Sequence, residues 1–274
     1  MTNIQRSTIN NITLTYEVQG DGTPVVLLHG FPLDLEMWRP QIDALAADYQ
    51  VIAPNLRGYG QTPENRSTLA DSDATSGVSM RQYTDDVLAL LDELGVTEPV
   101  VLAGFSMGGY VGWQFALNYP ERLKALIACD TRAIADSNEA REKRQKMARL
   151  MQSAEDTSEA TGMLSMLLSA AKQEAKVSDD VREMILRQNP LAVSASQLGM
   201  AERPDVTDQL KDIACPALVL CGENDAISPP EEMRGIAEAL PNAEYVEIPE
   251  AGHMTTLENA EAVNEALQQF LKSL

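Results

Sequence analysis

Residues 99–109, Pro-Val-Val-Leu-Ala-Gly-Phe-Ser-Met-Gly-Gly, constrain the fold more than any other stretch. Four apolar residues, Val100 to Ala103, run into Gly104-Phe105-Ser106-Met107-Gly108, and a helical pattern from Tyr110 to Leu117 follows at once. The spacing predicts a strand, a sharp turn and a helix, with a serine at the apex. Small residues two before and two after the serine let strand and helix approach closely, and such a turn holds the serine at strained backbone angles. Its hydroxyl is expected at the end of a strand, with the Met107 N–H pointing out of a helix start. Gly-x-Ser-x-Gly alone is common; between a strand and a helix it is specific.

The rest of the chain alternates strands and helices around this turn. Residues 8–18 read as a β-hairpin, with Ile12, Leu14, Tyr16 and Val18 alternating and Asn10-Asn11 at the turn. Residues 24–28, Pro-Val-Val-Leu-Leu, are a continuous apolar run, the pattern of a strand covered on both faces. The run stops at His29-Gly-Phe-Pro-Leu-Asp34, and a helix is expected around Trp38, Ile42 and Leu45. Further strands are expected at 50–53, 123–129, 216–221 and 244–248, and helices at 80–94, 231–240 and 260–271. Residues 61–79 are polar and acidic without an apolar period and read as a long, mobile surface loop, a candidate gate. Residues 131–204 carry no strand signal and read as three or four helices. The expectation is an α/β fold, a mostly parallel sheet with helices on both faces. Its core is 1–130 and 205–274, and 131–204 form an inserted helical cap over the strands' carboxyl edge, where chemistry in such sheets sits.

Composition narrows the function classes. A net charge of −20 argues against a nucleic-acid or anionic-membrane partner. No run of eighteen apolar residues is present, so no membrane insertion is expected, and residues 1–9 lack the apolar core of a signal peptide. The three cysteines, Cys129, Cys215 and Cys221, lie in or beside predicted strands. Their odd number and spacing fit neither a disulfide framework nor a zinc site, which makes a reducing cytoplasm the default compartment and leaves no metal expected.

A serine hydroxyl needs an adjacent base to act as a nucleophile. The chain holds two histidines, His29 and His253, each after a strand. The order Ser…Asp…His selects His253 as base, and for His29 a structural role outweighs a catalytic one. Asp225, ending a strand in Gly-Glu-Asn-Asp-Ala-Ile-Ser-Pro, is the choice for the carboxylate that orients the base; Asp130 is its competitor, or else a residue anchoring the cap or lining the pocket. Glu223 and Glu250 read as loop carboxylates. The second oxyanion donor is expected from the loop after residues 24–28, which pairs the N–H of Phe31 with that of Met107. Gly30, Phe105, Asp130, Met147 and Met151 are candidates for the substrate pocket. Arg57 either binds an anionic substrate or, as the preferred reading, braces loops. Six of the twelve methionines fall within 131–204, as an adaptable roof or as ordinary packing.

With these segments in view, the chain resembles the α/β-hydrolase-fold enzymes of the capped esterase, lactonase and cofactor-free haloperoxidase type. His-Gly-Phe-Pro-Leu-Asp (29–34), Leu-Arg-Gly-Tyr-Gly (56–60), Gly-Phe-Ser-Met-Gly-Gly (104–109) and Asp225 with Gly252-His253 carry the resemblance, which covers nearly the whole chain. It implies Ser106 as nucleophile, His253 as base, Asp225 as acid, an oxyanion hole at Phe31 and Met107, and no cofactor. One departure stands out: Asn55 occupies a place where relatives commonly carry aspartate. Serine rather than aspartate at the nucleophile position, 106, argues against dehalogenase and epoxide hydrolase chemistry. The expected activity is hydrolysis of small to medium carboxylic esters. Enol-lactone hydrolysis, a perhydrolase or haloperoxidase side activity and C–C bond hydrolysis are the alternatives within the class, and a non-catalytic ligand receptor is the alternative outside it. The partner is expected to be a small-molecule ester or lactone. The sequence leaves the oligomeric state open, a homo-oligomer included.

Overall fold

Alternation of apolar side chains along each strand produces two hydrophobic layers on one sheet. In the computed structural model, which describes residues 4–60, 76–173 and 175–274, eight strands lie in the order β1-β2-β4-β3-β5-β6-β7-β8. These are β1 (Gln5–Ile9), β2 (Ile12–Gln19), β3 (Pro24–Leu28), β4 (Gln50–Pro54), β5 (Val100–Phe105), β6 (Leu123–Cys129), β7 (Ala217–Gly222) and β8 (Ala243–Ile248). The hairpin β1–β2 turns at Asn10 and Asn11, both at positive φ, where asparagine is tolerated. Strand β2 runs antiparallel to β4, and the pairs from β4 to β8 are all parallel.

Val26, Leu28, Leu102, Leu126 and Val219 face one layer, and Val25, Leu27, Val101, Ile127 and Leu220 face the other. Both faces are covered, which is why these strands read as unbroken apolar runs. Helices α1 (Arg39–Leu45), α2 (Met80–Glu93) and α3 (Met107–Asn118) flank the first half of the sheet. Tyr83, Val87 and Leu91 of α2 and Val111 and Phe115 of α3 fill the first layer. Ile42 and Leu45 of α1 fill the second. Each such side chain, once fully buried, contributes about 1.5–3 kcal/mol.

Between β6 and β7 the described residues form helices and turns only: α4 (Asn138–Ser153), α5 (Lys176–Leu186) and α6 (Pro190–Ala201), with helical turns at Ser158–Met163, Leu164–Leu167, Ala170–Lys172 and Thr207–Asp212. Caps set two of the starts. Ser137 Oγ accepts the Ala140 N–H ahead of α4, and Asn189 Oδ1 accepts the Leu191 N–H ahead of α6, with Pro190 at its first position. The apolar run 163–168 makes short turns rather than a full helix. The two connections to the insert are clasped where they meet, Val206 N–H donating to the Ala133 carbonyl at 3.0 Å. The Arg203 guanidinium lies 2.6 Å from Asp136 and stacks 4.3 Å above the Tyr110 ring.

The insert rests on loops that follow the strands' carboxyl ends. Arg187 makes two bonds to Asp34 at 2.6 and 2.7 Å, and Gln188 adds a third at 2.9 Å. Tyr59 donates to Ser196 at 2.7 Å. Most of the stretch expected to be a mobile loop, 61–75, lies outside the described residues. In its last part Ser76 and Ser79 are exposed, as expected of a surface loop, but Val78 is buried and donates its N–H to the Ala195 carbonyl of α6 at 3.1 Å. The sheet and insert are completed by α7 (Pro230–Ala239) and α8 (Ala260–Lys272), whose Val263, Leu267 and Phe270 close the second layer. No helix among the described residues is long and apolar enough to cross a membrane.

Candidate active site

The backbone at Ser106 is bent as the turn sequence demands, with φ 50° and ψ −111° between β5 and α3. A serine at positive φ costs on the order of 1–3 kcal/mol, and the surroundings hold it there. Ser106 N–H donates to the Cys129 carbonyl at 2.9 Å, and Thr131 Oγ1 donates to the Ser106 carbonyl at 2.7 Å. The two glycines permit the crossing. A Cβ at Gly104 would stand 2.3 Å from the Gly108 carbonyl oxygen, and one at Gly108 would stand 2.3 Å from that of Leu28.

His253 follows β8, and Asp225 follows β7. Three hydrogen bonds weld the two loops: Glu223 N–H to Ile248, Asn224 N–H to Ala251, and Glu250 N–H to the Glu223 carboxylate. Glu223 and Glu250 are thus loop groups. The side chains converge on Ser106. His253 Nε2 is 2.9 Å from Ser106 Oγ, and His253 Nδ1 is 2.8 Å from Asp225 Oδ2. Asp225 Oδ1 accepts the N–H groups of Ile227 and Ser228 at 2.7 and 3.1 Å, and Oδ2 accepts Ser228 Oγ–H at 2.5 Å. Burial pushes the Asp225 carboxyl up, but attraction and hydrogen bonding from His253, helped by Ser228, hold it below the usual carboxylate value. Ser106 is half-buried, while Asp225 and His253 are buried.

Asp130 is placed beneath this chain and not in it. It is wholly buried, its carboxyl accepts the Gly222 N–H at 2.9 Å, and it meets Thr255 Oγ1. Burial, then the charge of Asp225, pushes it well above the usual carboxylate range. Two neighbouring carboxyls are driven apart, one down and one up. Asp130, Cys221 and Asp225 are also the one set of three ligating groups that converges among the described residues. The set suits a metal ion poorly: Asp225 is spent on His253 and Ser228, and burial with the Asp130 charge pushes the Cys221 thiol up.

His29 is a structural residue. Its Nε2 accepts the Leu56 N–H at 2.9 Å, so the proton sits on Nδ1, which donates to the Gly30 carbonyl at 2.9 Å. Burial lowers its pKa to about 4 against the opposing pull of the Gly30 carbonyl and Asp34. Arg57 is committed to Asp86 of α2 by two bonds of 2.7 Å, a brace between loop and helix. Asn55 bridges elsewhere, from Thr15 to the Leu35 N–H. Among the described residues, the N–H groups of Phe31 and Met107 donate to no protein acceptor.

The pocket candidates fare differently. Phe105, Asp130 and Met151 are 0% exposed and therefore line no accessible surface, a correction to the expectation. The Phe105 ring instead packs on the His253 ring, with centroids 5.0 Å apart. Gly30 lacks a side chain because a Cβ would stand 2.5 Å from that same Phe105 ring. Met147 alone is half-exposed. Of the insert's other methionines, Met184 and Met200 are buried and Met166 is 52% exposed, which is the pattern of ordinary packing. The sequence reading missed Ser228, Thr255 and Glu258. Ser228 had a signal, a hydroxyl three residues after an aspartate, the spacing of a local turn.

Residues 23–260 match the family described as the alpha/beta hydrolase fold. The chain belongs to the α/β-hydrolase family. This α/β hydrolase superposes on a thermophilic esterase from Thermogutta terrifontis, solved with malate bound, at a TM-score of 0.90 and 40% identity, over 99% of this chain and 98% of that one. The enol-lactonase from Burkholderia xenovorans gives a TM-score of 0.86 at 26% identity, over 98% of this α/β hydrolase and all (100%) of the other. In sequence, the dihydrolipoyllysine-residue acetyltransferase component of the acetoin cleaving system of Pseudomonas putida is 32% identical over 266 residues, 94% of this chain and 66% of that protein.

Proposed function

We propose that this α/β hydrolase is a serine esterase of small to medium carboxylic esters, acting through Ser106, His253 and Asp225. The observation that carries the reading is the hydrogen-bonded chain from Ser106 Oγ through His253 to Asp225, at 2.9 and 2.8 Å. Ser106 Oγ attacks the ester carbonyl while its proton passes to His253 Nε2. Asp225 keeps the other proton on Nδ1 and stabilises the imidazolium. The tetrahedral oxyanion is held by the N–H groups of Phe31 and Met107; losing one such donor typically costs ~3 kcal/mol. His253 then protonates the departing alkoxide, leaving Ser106 acylated. Water, deprotonated by His253, attacks the acyl group, and Ser106 recovers its proton as the acid leaves. These steps need no group beyond the chain's own residues. Residues 131–204 serve as the cap of a core formed by 1–130 and 205–274, and roof the site against long polymers.

A second reading, opening of an enol-lactone, draws support from the Burkholderia enol-lactonase neighbour. It uses the same residues on a cyclic ester.

The test is hydrolysis of p-nitrophenyl esters from acetate to laurate, with an enol-lactone in parallel, by wild type, Ser106→Ala and Asp225→Asn. Fast short-chain turnover is expected, with a loss of at least about 10³-fold in each variant. Wild-type inactivity on every ester with rapid lactone opening would shift the assignment to a lactonase. No turnover, together with no labelling of Ser106 by a fluorophosphonate, would overturn the enzymatic reading in favour of a ligand receptor.

A further inference from the structure

The residue after which the last helices begin, His253, is gripped from outside the chain of three side chains. Glu258 lies in the helical turn Thr255–Glu258 and is 7% exposed. Its Oε1 accepts the N–H of Gly252 at 3.0 Å and the N–H of Met254 at 3.1 Å, the two backbone donors flanking His253. Its Oε2 accepts the Ser169 N–H of the insert at 2.9 Å. The Met254 N–H is shared with the Leu167 carbonyl of the insert at 3.0 Å. All three contacts to Glu258 need an acceptor and none needs a donor, so a carboxylate suits the place and an amide does not fill it.

We propose that Glu258 is a positioning residue for His253, fixing the histidine loop through both neighbouring N–H groups while pinning that loop to the insert at Ser169. The proposal rests on the assignment of His253 as the general base. A base must stay within hydrogen-bond reach of the serine through acylation and deacylation, and a small displacement of it is expensive. Two N–H groups converging on one oxygen leave the intervening residue little freedom to turn. The second oxygen makes the insert part of the same support, so a movement of residues 167–169 reaches the His253 loop through the Glu258 side chain as well as through the Leu167 carbonyl. Glu258 touches neither substrate nor Ser106 and acts only through the loop.

The experiment compares Glu258→Gln, Glu258→Asp and Glu258→Ala with wild type, using an ester that the wild type turns over. Fluorophosphonate end-point labelling counts competent sites, and kcat is expressed per labelled site. The expectation is a fall in kcat per site of about 10-fold for Gln, which keeps the length and one acceptor, and about 100-fold for Ala and Asp, with KM within about twofold. The labelling rate should fall in step, because phosphonylation of Ser106 also needs the base. The imidazole N–H resonance of His253 should lose intensity or shift, while that of His29, the other histidine of the chain, stays in place. A stabilising role alone would lower the count of sites and leave kcat per site and the labelling rate unchanged; that result overturns the proposal. If Glu258→Ala does not fold, Glu258→Gln carries the comparison. Ser106→Ala and His253→Ala run alongside: retained turnover in them overturns the underlying assignment, whereas their inactivity beside unchanged Glu258 variants overturns the positioning role alone.

Discussion

Burial decides what each titratable side chain can do. His29 and His253 both follow strands, yet one is spent on backbone groups and the other faces a serine. His29 also makes stability depend on pH. Its folded pKa of about 4 lies below the unfolded value near 6.5, so the unfolded chain takes the proton first. The contribution is therefore fully present above pH 6.5 and is lost as pH falls towards 4. A shift of this size is worth about 3 kcal/mol. Urea unfolding of wild type and His29→Gln from pH 7 to pH 4 should show their stability difference shrinking by about that amount. A difference that stays constant with pH would mean that His29 titrates normally. The contrast between Asp130 and Asp225 follows the same logic, because each is buried but only Asp225 gains a cationic partner when His253 takes a proton.

Among the elements, the junction of β3, β5 and α3 matters most. The β3 loop carries the Phe31 N–H, the start of α3 carries that of Met107, and Gly108 is where the two meet. A Cβ at Gly108 would press on backbone, 2.3 Å from the Leu28 oxygen and 2.9 Å from that of His29, and backbone yields less readily than a side-chain end. Gly108→Ala should therefore cost about 1–3 kcal/mol of stability by overpacking, and, on the proposed mechanism, about 10²-fold in kcat by misaligning the proposed oxyanion donors. Steady-state kinetics and urea unfolding on the same preparation check both. Lost stability with intact kcat would show that the donors follow the helix without penalty. The insert is an element of another kind, fastened at separate points through Asp34, Tyr59, Val78 and Glu258.

Across the whole molecule, the net charge of −20 sets a long-range field that no single contact reveals. At about 10 mM salt this field extends roughly 30 Å, and at 0.1 M about 10 Å. An anionic lactone should be repelled at low salt and a neutral ester should not. Raising salt from 10 to 300 mM should increase kcat/KM for a dicarboxylate enol-lactone several-fold and leave that for p-nitrophenyl acetate within about twofold. A decrease for the lactone would reveal a local cationic pocket that outweighs the field. The buried Arg57–Asp86 pair argues against Arg57 as such a pocket.

Most of the architecture was legible in the chain because strands covered on both faces must be apolar throughout, and amphipathic helices must repeat with the helical period. Ser106, His253 and Asp225 could be singled out in sequence because each sits in a turn motif at a strand end, where composition changes abruptly. The tertiary structure alone decided the rest. It withdrew Phe105, Asp130 and Met151 from the pocket surface, packed Val78 under α6, and brought Glu258 beneath Gly252 and Met254. These outcomes depend on backbone N–H groups and on side chains from separate elements. A backbone donor is present at nearly every residue, so its partner leaves no mark in the sequence. It is found only when the chain closes and each buried polar group must be matched.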